Sequence, residues 1–371
     1  MNFPYKITDT KLRPALGKVE KHWRTEAFKL ILGNQREGER IPQYFNVFDQ
    51  HYLLTHFGLL GFEYGNWMPQ DERFEYLTGT ALGLYDLSKI TGFKPNQIGL
   101  QGLSIAFGAR GSGKALAHYE PANHTINLTR FFSEREKSKN NDYSGGGKGS
   151  LGHEWGHALD FYLARKIKYK RHFLTEIVAD YARAGSEISN SIKEISGIEK
   201  RTFDLMFAIQ YQMGKDKKVH FSKFRKRVSD QTNNSEYWTS NIEMFARSFE
   251  AYLNYAGRKA GIKNNTLFST KYGSGVYPTD KEMEKLYPLF RSFLNAARIK
   301  IQGLKIKSLK SSPQEIAAIQ AFQKEVKNQK LGEIVKAQNV SEKPERDTTP
   351  DHAFQLIVTR DKRFFNETFG L

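Results

Sequence analysis

The residues able to do chemistry gather in SLGHEWGHALD at 150–160, where His153-Glu154-Trp155-Gly156-His157 fits the pattern H-E-x-x-H. Residues four apart on an α-helix stand one above the other, so the two imidazoles converge on a point that can hold a divalent ion. Helix geometry turns Glu154 about 100° from His153, beside that point, as a base for a bound water and not as a ligand. Two neutral imidazoles and one further protein ligand leave a tetrahedral ion one open position, where water becomes acidic enough to attack an amide near neutral pH. The expected chemistry is hydrolysis.

The flanking residues favour a helix over an accidental pair of histidines. Leu151, Trp155, Ala158, Leu159 and Tyr162 recur at helical spacing, which buries one face. Ser150 is a candidate cap, and Gly145, Gly146, Gly147 and Gly149 give the chain freedom to enter the helix. Asp160, two turns after His153, is a ligand or a carboxylate that fixes an imidazole tautomer. The second role is expected, because successive turns of one straight helix line donors up instead of surrounding an ion. Another element must supply the third ligand.

Residues 237–253, YWTSNIEMFARSFEAYL, offer a polar row of Glu243, Arg247 and Glu250 at i, i+4 and i+7, set against an apolar stripe of Phe245, Phe249, Tyr252 and Leu253. The row fits a solvated face or a site wall. Ser240 and Glu243 also form a capping box, so spacing alone leaves open whether Glu243 starts a helix or faces a metal.

Together, HEWGHALDFY and EMFARSF resemble the paired motifs of gluzincin metallopeptidases of the anthrax lethal factor type. That resemblance implies Glu243 as the third zinc ligand and Tyr237 as the residue that stabilises the oxyanion. It also implies an acidic residue where this chain has Arg247, which is then expected to pair with Asp160, Glu250 or substrate. Residues 55–290 resemble more closely a large polyvalent protein-associated domain. The resemblance rests on FEYGNWMPQDER at 62–73, LSIAFGARGSGKALAHYEPANHTINLTR at 103–130, GSLGHEWGHALD at 149–160 and the YW…EMFARSFEAY block. It implies a zincin-like α+β fold, mostly helical, with a small mixed sheet beside the histidine helix. It further implies a Zn2+ peptidase encoded by a phage or conjugative element, acting on a polypeptide.

Gly108-Ala109-Arg110-Gly111-Ser112-Gly113-Lys114 fits the start of a phosphate-cradling loop, but Ala115 stands where magnesium would need Ser or Thr. The stretch after it alternates like strands, so a glycine-rich turn is expected, with Ala117-His118-Tyr119 as an edge strand able to pair with an extended substrate. His118 and His124 are expected on the sheet surface or in the cleft, not as ligands.

Composition narrows the setting. The chain has 57 Lys and Arg against 40 Asp and Glu, a net charge of +17, which favours acidic partners such as nucleic acid. Seven cations crowd residues 214–227 near Phe221 and Phe224; the segment is either a solvated helix face or a phosphate-gripping surface. An alternative class is therefore a DNA-associated accessory protein with a structural or vestigial metal site. Without cysteine, disulfides and thiol catalysis are excluded. No apolar run approaches a bilayer span and the start lacks a signal-peptide core, which points to the cytoplasm; the resemblance implies that of a bacterial host, or association with a virion or delivery with DNA.

Three regions are expected: an extension over 1–55 with a helix near 15–32, a catalytic domain over 56–300, and a basic tail over 301–371 with a helix from Ser312-Pro313 to about residue 330. Residues 71–90 read as a helix, and 166–235 as a helical insertion patterned around 173–194 and 200–213. Trp67 reads as a packing anchor and 131–149 as a mobile loop able to cover the site. Thr279-Asp280-Lys281-Glu282 caps a further helix, which Pro288 should kink.

Overall fold

The computed structural model describes residues 36–302, apart from 43, 48, 66–69, 111–116, 130–146, 148, 170, 179–196, 214, 216–218 and 269–274. The expected helices near 15–32 and 313–330, the tail, Trp67, most of the 131–149 loop and most of the 173–194 pattern lie outside these residues.

A short strand, β1 (Arg36–Glu37), is followed by α1 (Gln50–Phe57), β2 (Gly61–Tyr64) and the long α2 (Gln70–Thr91). Asp49 caps α1 by accepting the Tyr52 amide at 3.1 Å. Helix α2 buries Leu77, Ala81, Leu84 and Leu87, the stripe its spacing predicts. Next come β3 (Ser104–Phe107), β4 (Ala117–Glu120) and β5 (Thr125–Leu128). The four-stranded sheet runs β2-β3-β5-β4, with β2, β3 and β5 parallel and β4 antiparallel to β5 at one edge. The expected edge strand is therefore present. The glycine-rich stretch stands between β3 and β4, and its residues 111–116 lie outside the described ones. Arg110, in that stretch, pairs with Glu63 and Glu120 at 2.7 and 2.8 Å.

The histidine helix, α3 (Leu151–Lys166), packs against β4 and β5 on one side. Trp155 is fully buried beside Phe93, donating its indole N–H to the Ile98 carbonyl at 2.9 Å. Ser150 occupies the cap position without a side-chain cap bond. The insertion contains α4 (Gly197–Gln210), which ends earlier than its apolar pattern, because the chain turns into a hairpin of β6 (Tyr211–Met213) and β7 (Val219–Phe221). The remaining elements are α5 (Lys223–Gln231), the single turn α6 (Glu236–Thr239), α7 (Asn241–Lys259), β8 (Lys263–Asn264) paired with β1, and α8 (Asp280–Gln302). Helix α8 runs on through Pro288. At its start Thr279 and Glu282 exchange the hydrogen bonds of a capping box, the Glu282 carboxylate taking the Thr279 amide at 2.9 Å.

The layer that matters for chemistry is the crossing of α3 and α7, with α8 and α4 behind. Phe245 and Phe249 of α7 are fully buried against Phe290 and Phe293 of α8, each worth roughly 2 kcal/mol of apolar burial. Two glycines let α7 come close to α3. A Cβ on Gly152 would stand 2.5 Å from Leu253 Cδ1 and 2.6 Å from the Leu267 carbonyl oxygen. On Gly156 it would stand 3.0 Å from Phe249 Cδ1. The glycines alternate with His153 and His157 along α3, so the face that admits α7 adjoins the face that carries the imidazoles.

Candidate metal centre

Helix α3 sets His153 and His157 one turn apart, with their Nε2 atoms 3.2 Å from each other. Helix α7 begins at Ser240, whose hydroxyl accepts the Glu243 amide at 3.3 Å. Only half of the capping box forms, because the Glu243 carboxylate turns into the crossing instead of back to Ser240. Its Oε1 lies 3.6 Å from His153 Nε2 and its Oε2 3.7 Å from His157 Nε2. One donor atom from each of the three residues falls within 4.8 Å of the others, the arrangement of a group that could hold a metal ion.

The donor set fits such an ion. In a tetrahedron with bonds of about 2.1 Å, neighbouring donors stand roughly 3.4 Å apart; the two imidazole nitrogens are 3.2 Å apart, and each faces a different oxygen of Glu243 at 3.6 and 3.7 Å. Glu243 Oε1 is buried without a hydrogen bond of good geometry, although Arg247 Nη2 stands 2.6 Å away, so it keeps a lone pair for an ion. Both histidines keep a little solvent exposure, 13% and 14% of the side chain, against 3% for Glu243, so the cluster is open on the imidazole side.

Electrostatics tie the group together. Burial opposes a charge on His153, but the carboxylates of Glu243 and Glu250, each 3.6 Å from a ring nitrogen, override it and raise the pKa to about 10. Burial likewise opposes a charge on Glu243, and His153, His157 and Arg247 hold it well below the usual carboxylate range. An ion entering here would displace the proton from His153.

Glu250, which spacing alone could not separate from a solvated face, is 2% exposed and its Oε2 lies 3.6 Å from His153 Nδ1. This is the position of a carboxylate that orients a ligating imidazole from behind. Tyr277 donates its hydroxyl to the same oxygen at 2.9 Å. Arg247 pairs neither with Asp160 nor with Glu250; its Nη2 is 2.6 Å from Glu243 Oε1. The acidic neighbour of His153 on α7 is Glu250, three residues beyond Arg247. Tyr237, on α6, donates to Glu243 Oε2 at 2.9 Å, and burial followed by the Glu243 charge raises its pKa. Glu154 is 6% exposed, and its charge acts on both His153 and Tyr237.

Asp160 departs from expectation. Its two oxygens accept the Thr175 amide at 2.9 Å and the Thr175 hydroxyl at 2.6 Å, which fastens the segment after α3. His118 sits on β4, and His124 in the β4–β5 turn takes a hydrogen bond with the Tyr119 hydroxyl at 2.6 Å. Neither joins the cluster. Tyr277 was invisible to spacing because it comes from an irregular stretch before α8.

Fold and site define an α+β protein, mostly helical, with a small mixed sheet and a His-His-Glu group that could hold a metal between two crossing helices. Residues 229–300, which carry Tyr237, Glu243, Arg247, Glu250 and Tyr277, match the family model described as large polyvalent protein-associated domain 1. No curated protein and no solved structure matches the chain. Among the described residues, no helix is long and apolar enough to cross a membrane.

Proposed function

We propose that this chain is a zinc-dependent peptidase of zincin type, with His153, His157 and Glu243 as ligands. The observation that carries the reading is the meeting of two imidazoles on one helix with a carboxylate from another, one donor atom from each within 4.8 Å of the others. When bound, zinc supplies the Lewis acidity that polarises a peptide carbonyl and acidifies water. Glu154 takes the proton of the attacking water and later gives it to the leaving amine. Tyr237 swings its hydroxyl from Glu243 to the oxyanion that develops on the carbonyl. Glu250 holds His153 in the tautomer that presents Nε2. The edge of β4 that no strand among the described residues covers, beside α3, receives an extended polypeptide as an added strand. The proposed origin is a phage or conjugative element and the proposed setting the bacterial cytoplasm; the match to a polyvalent-protein domain is what supports them.

The test is an unbiased proteome-cleavage screen with wild type and Glu154→Gln, both assayed for zinc. The reading expects equal zinc in the two and cleavage only by wild type; cleavage at an undiminished rate by the variant would remove Glu154 from the mechanism.

A second reading, a nucleic-acid-associated protein whose metal is structural, is favoured by the hairpin surface. Phe203, Phe207, Tyr211 and Phe221 stack in series at centroid spacings of 5.6–5.9 Å, and the Arg225 guanidinium lies 4.0 Å over Phe221. Phe221 is 47% exposed, and Lys223 and Lys226, three residues apart on α5, are exposed too. Salt-dependent DNA binding that survives metal removal, with no cleavage in the screen, would select this reading.

A further inference from the structure

Around a dication, proteins gather negative charge; a guanidinium pressed on one of the ligands is the reverse. Arg247 follows Glu243 by one turn of α7 and stands 2.6 Å from its Oε1. The side chain is only 10% exposed. Its guanidinium lies 3.7 Å over the Trp238 ring and 5.5 Å from the Tyr277 ring, so its place is fixed by two aromatic faces from different elements. A charge held there is little screened by solvent or salt.

Arg247 is not required for the tasks that surround it. Glu243 already has two imidazoles and the Tyr237 hydroxyl within reach. His153 is served from behind by Glu250, and Glu250 by Tyr277. What remains is the effect of a fixed positive charge on the ligand carboxylate and on any ion beside it.

Resting on the metal reading above, we propose that Arg247 is a positioning residue that holds Glu243 Oε1 and draws its charge away from the ion, which weakens metal binding and leaves the bound ion a stronger Lewis acid. The guanidinium repels a dication directly, and a carboxylate already shared with a cation donates less to a metal. A purely structural clamp has the opposite signature: loosening a group that orients a ligand lowers affinity.

The experiment is zinc titration of the full-length chain in competition with a chromophoric chelator, for wild type, Arg247→Gln, Arg247→Lys and Trp238→Leu. Removing the charge in Arg247→Gln should tighten zinc binding by about tenfold or more, while Arg247→Lys, which keeps the charge, stays within about threefold of wild type. Trp238→Leu, which frees the guanidinium from its stack, should tighten binding by about twofold or more. Equal or weaker binding by Arg247→Gln overturns the proposal. Should that variant fail to fold by circular dichroism, Trp238→Leu decides, and unchanged or weaker binding there overturns it. Absence of zinc binding in wild type itself would sink the metal reading and this role with it; zinc-binding wild type with unmoved variants sinks only the role of Arg247.

Discussion

Two buried carboxylates meet helix α3 in opposite surroundings. Near its first turns Glu243 faces two imidazoles and a guanidinium, and these hold it ionised although it is 2% exposed. Further along, Asp160 is 1% exposed and faces the amide and hydroxyl of Thr175; burial prevails there and raises its pKa to about 7. Burial alone therefore does not mark a metal ligand. The cationic and titratable partners do, because they are the groups that exchange a proton for an ion.

The sharpest way to break this contrast is to delete each acid. Glu243→Ala should abolish stoichiometric zinc binding, read by metal analysis after gel filtration, and should destabilise the metal-free protein by about 3 kcal/mol, because Arg247 is left buried and unpaired. Unchanged zinc content would move ligation elsewhere. Glu250→Gln keeps the ligands and removes the charge behind His153; zinc should remain bound with roughly 10-fold to 100-fold lower affinity in chelator competition. An unaltered affinity would return Glu250 to a merely packed position.

Asp160→Asn should leave zinc binding alone and act on the pH dependence of stability instead. The folded pKa of Asp160 is raised from 3.8 to about 7, so the folded state keeps a proton that the unfolded chain gives up. Its stabilising contribution is complete below the unfolded value and is lost as pH rises towards 7, with a slope of at most about 1.4 kcal/mol per unit. Urea unfolding of metal-free protein should show wild type losing stability relative to Asp160→Asn between about pH 4 and pH 7, and a constant difference above that. A difference independent of pH would contradict the assignment.

The parts of this site that follow from local rules were legible in the sequence. His153 and His157 are four apart on a helix whose buried stripe is unambiguous, and the cap at Ser240 follows from its hydroxyl and the helix after it. The edge strand at 117–120 was marked by alternation, and α2 by its leucines. The parts that depend on the crossing were not. Glu250 shares its i+7 spacing with any solvated row, and only the approach of α7 at Gly152 and Gly156 gives it His153 as a neighbour. Arg247 likewise acquires its partner through its own helix and its place through Trp238 and Tyr277 from elsewhere. Asp160 looked like an outer carboxylate because it shares a face with His153, and Thr175, in a segment without periodicity, claims both its oxygens. The β6–β7 hairpin was hidden because three-residue strands carry too little alternation to interrupt the apolar pattern of α4.

The central claim is that α3 and α7 share one zinc through two imidazoles and a carboxylate. X-ray absorption at the zinc edge, on full-length chain loaded with one equivalent, tests it most directly. The account predicts a low-coordinate shell of nitrogen and oxygen at about 2.0–2.1 Å with two imidazoles, falling to one in His157→Ala. A six-oxygen shell, or an imidazole count that His157→Ala leaves unchanged, would contradict it.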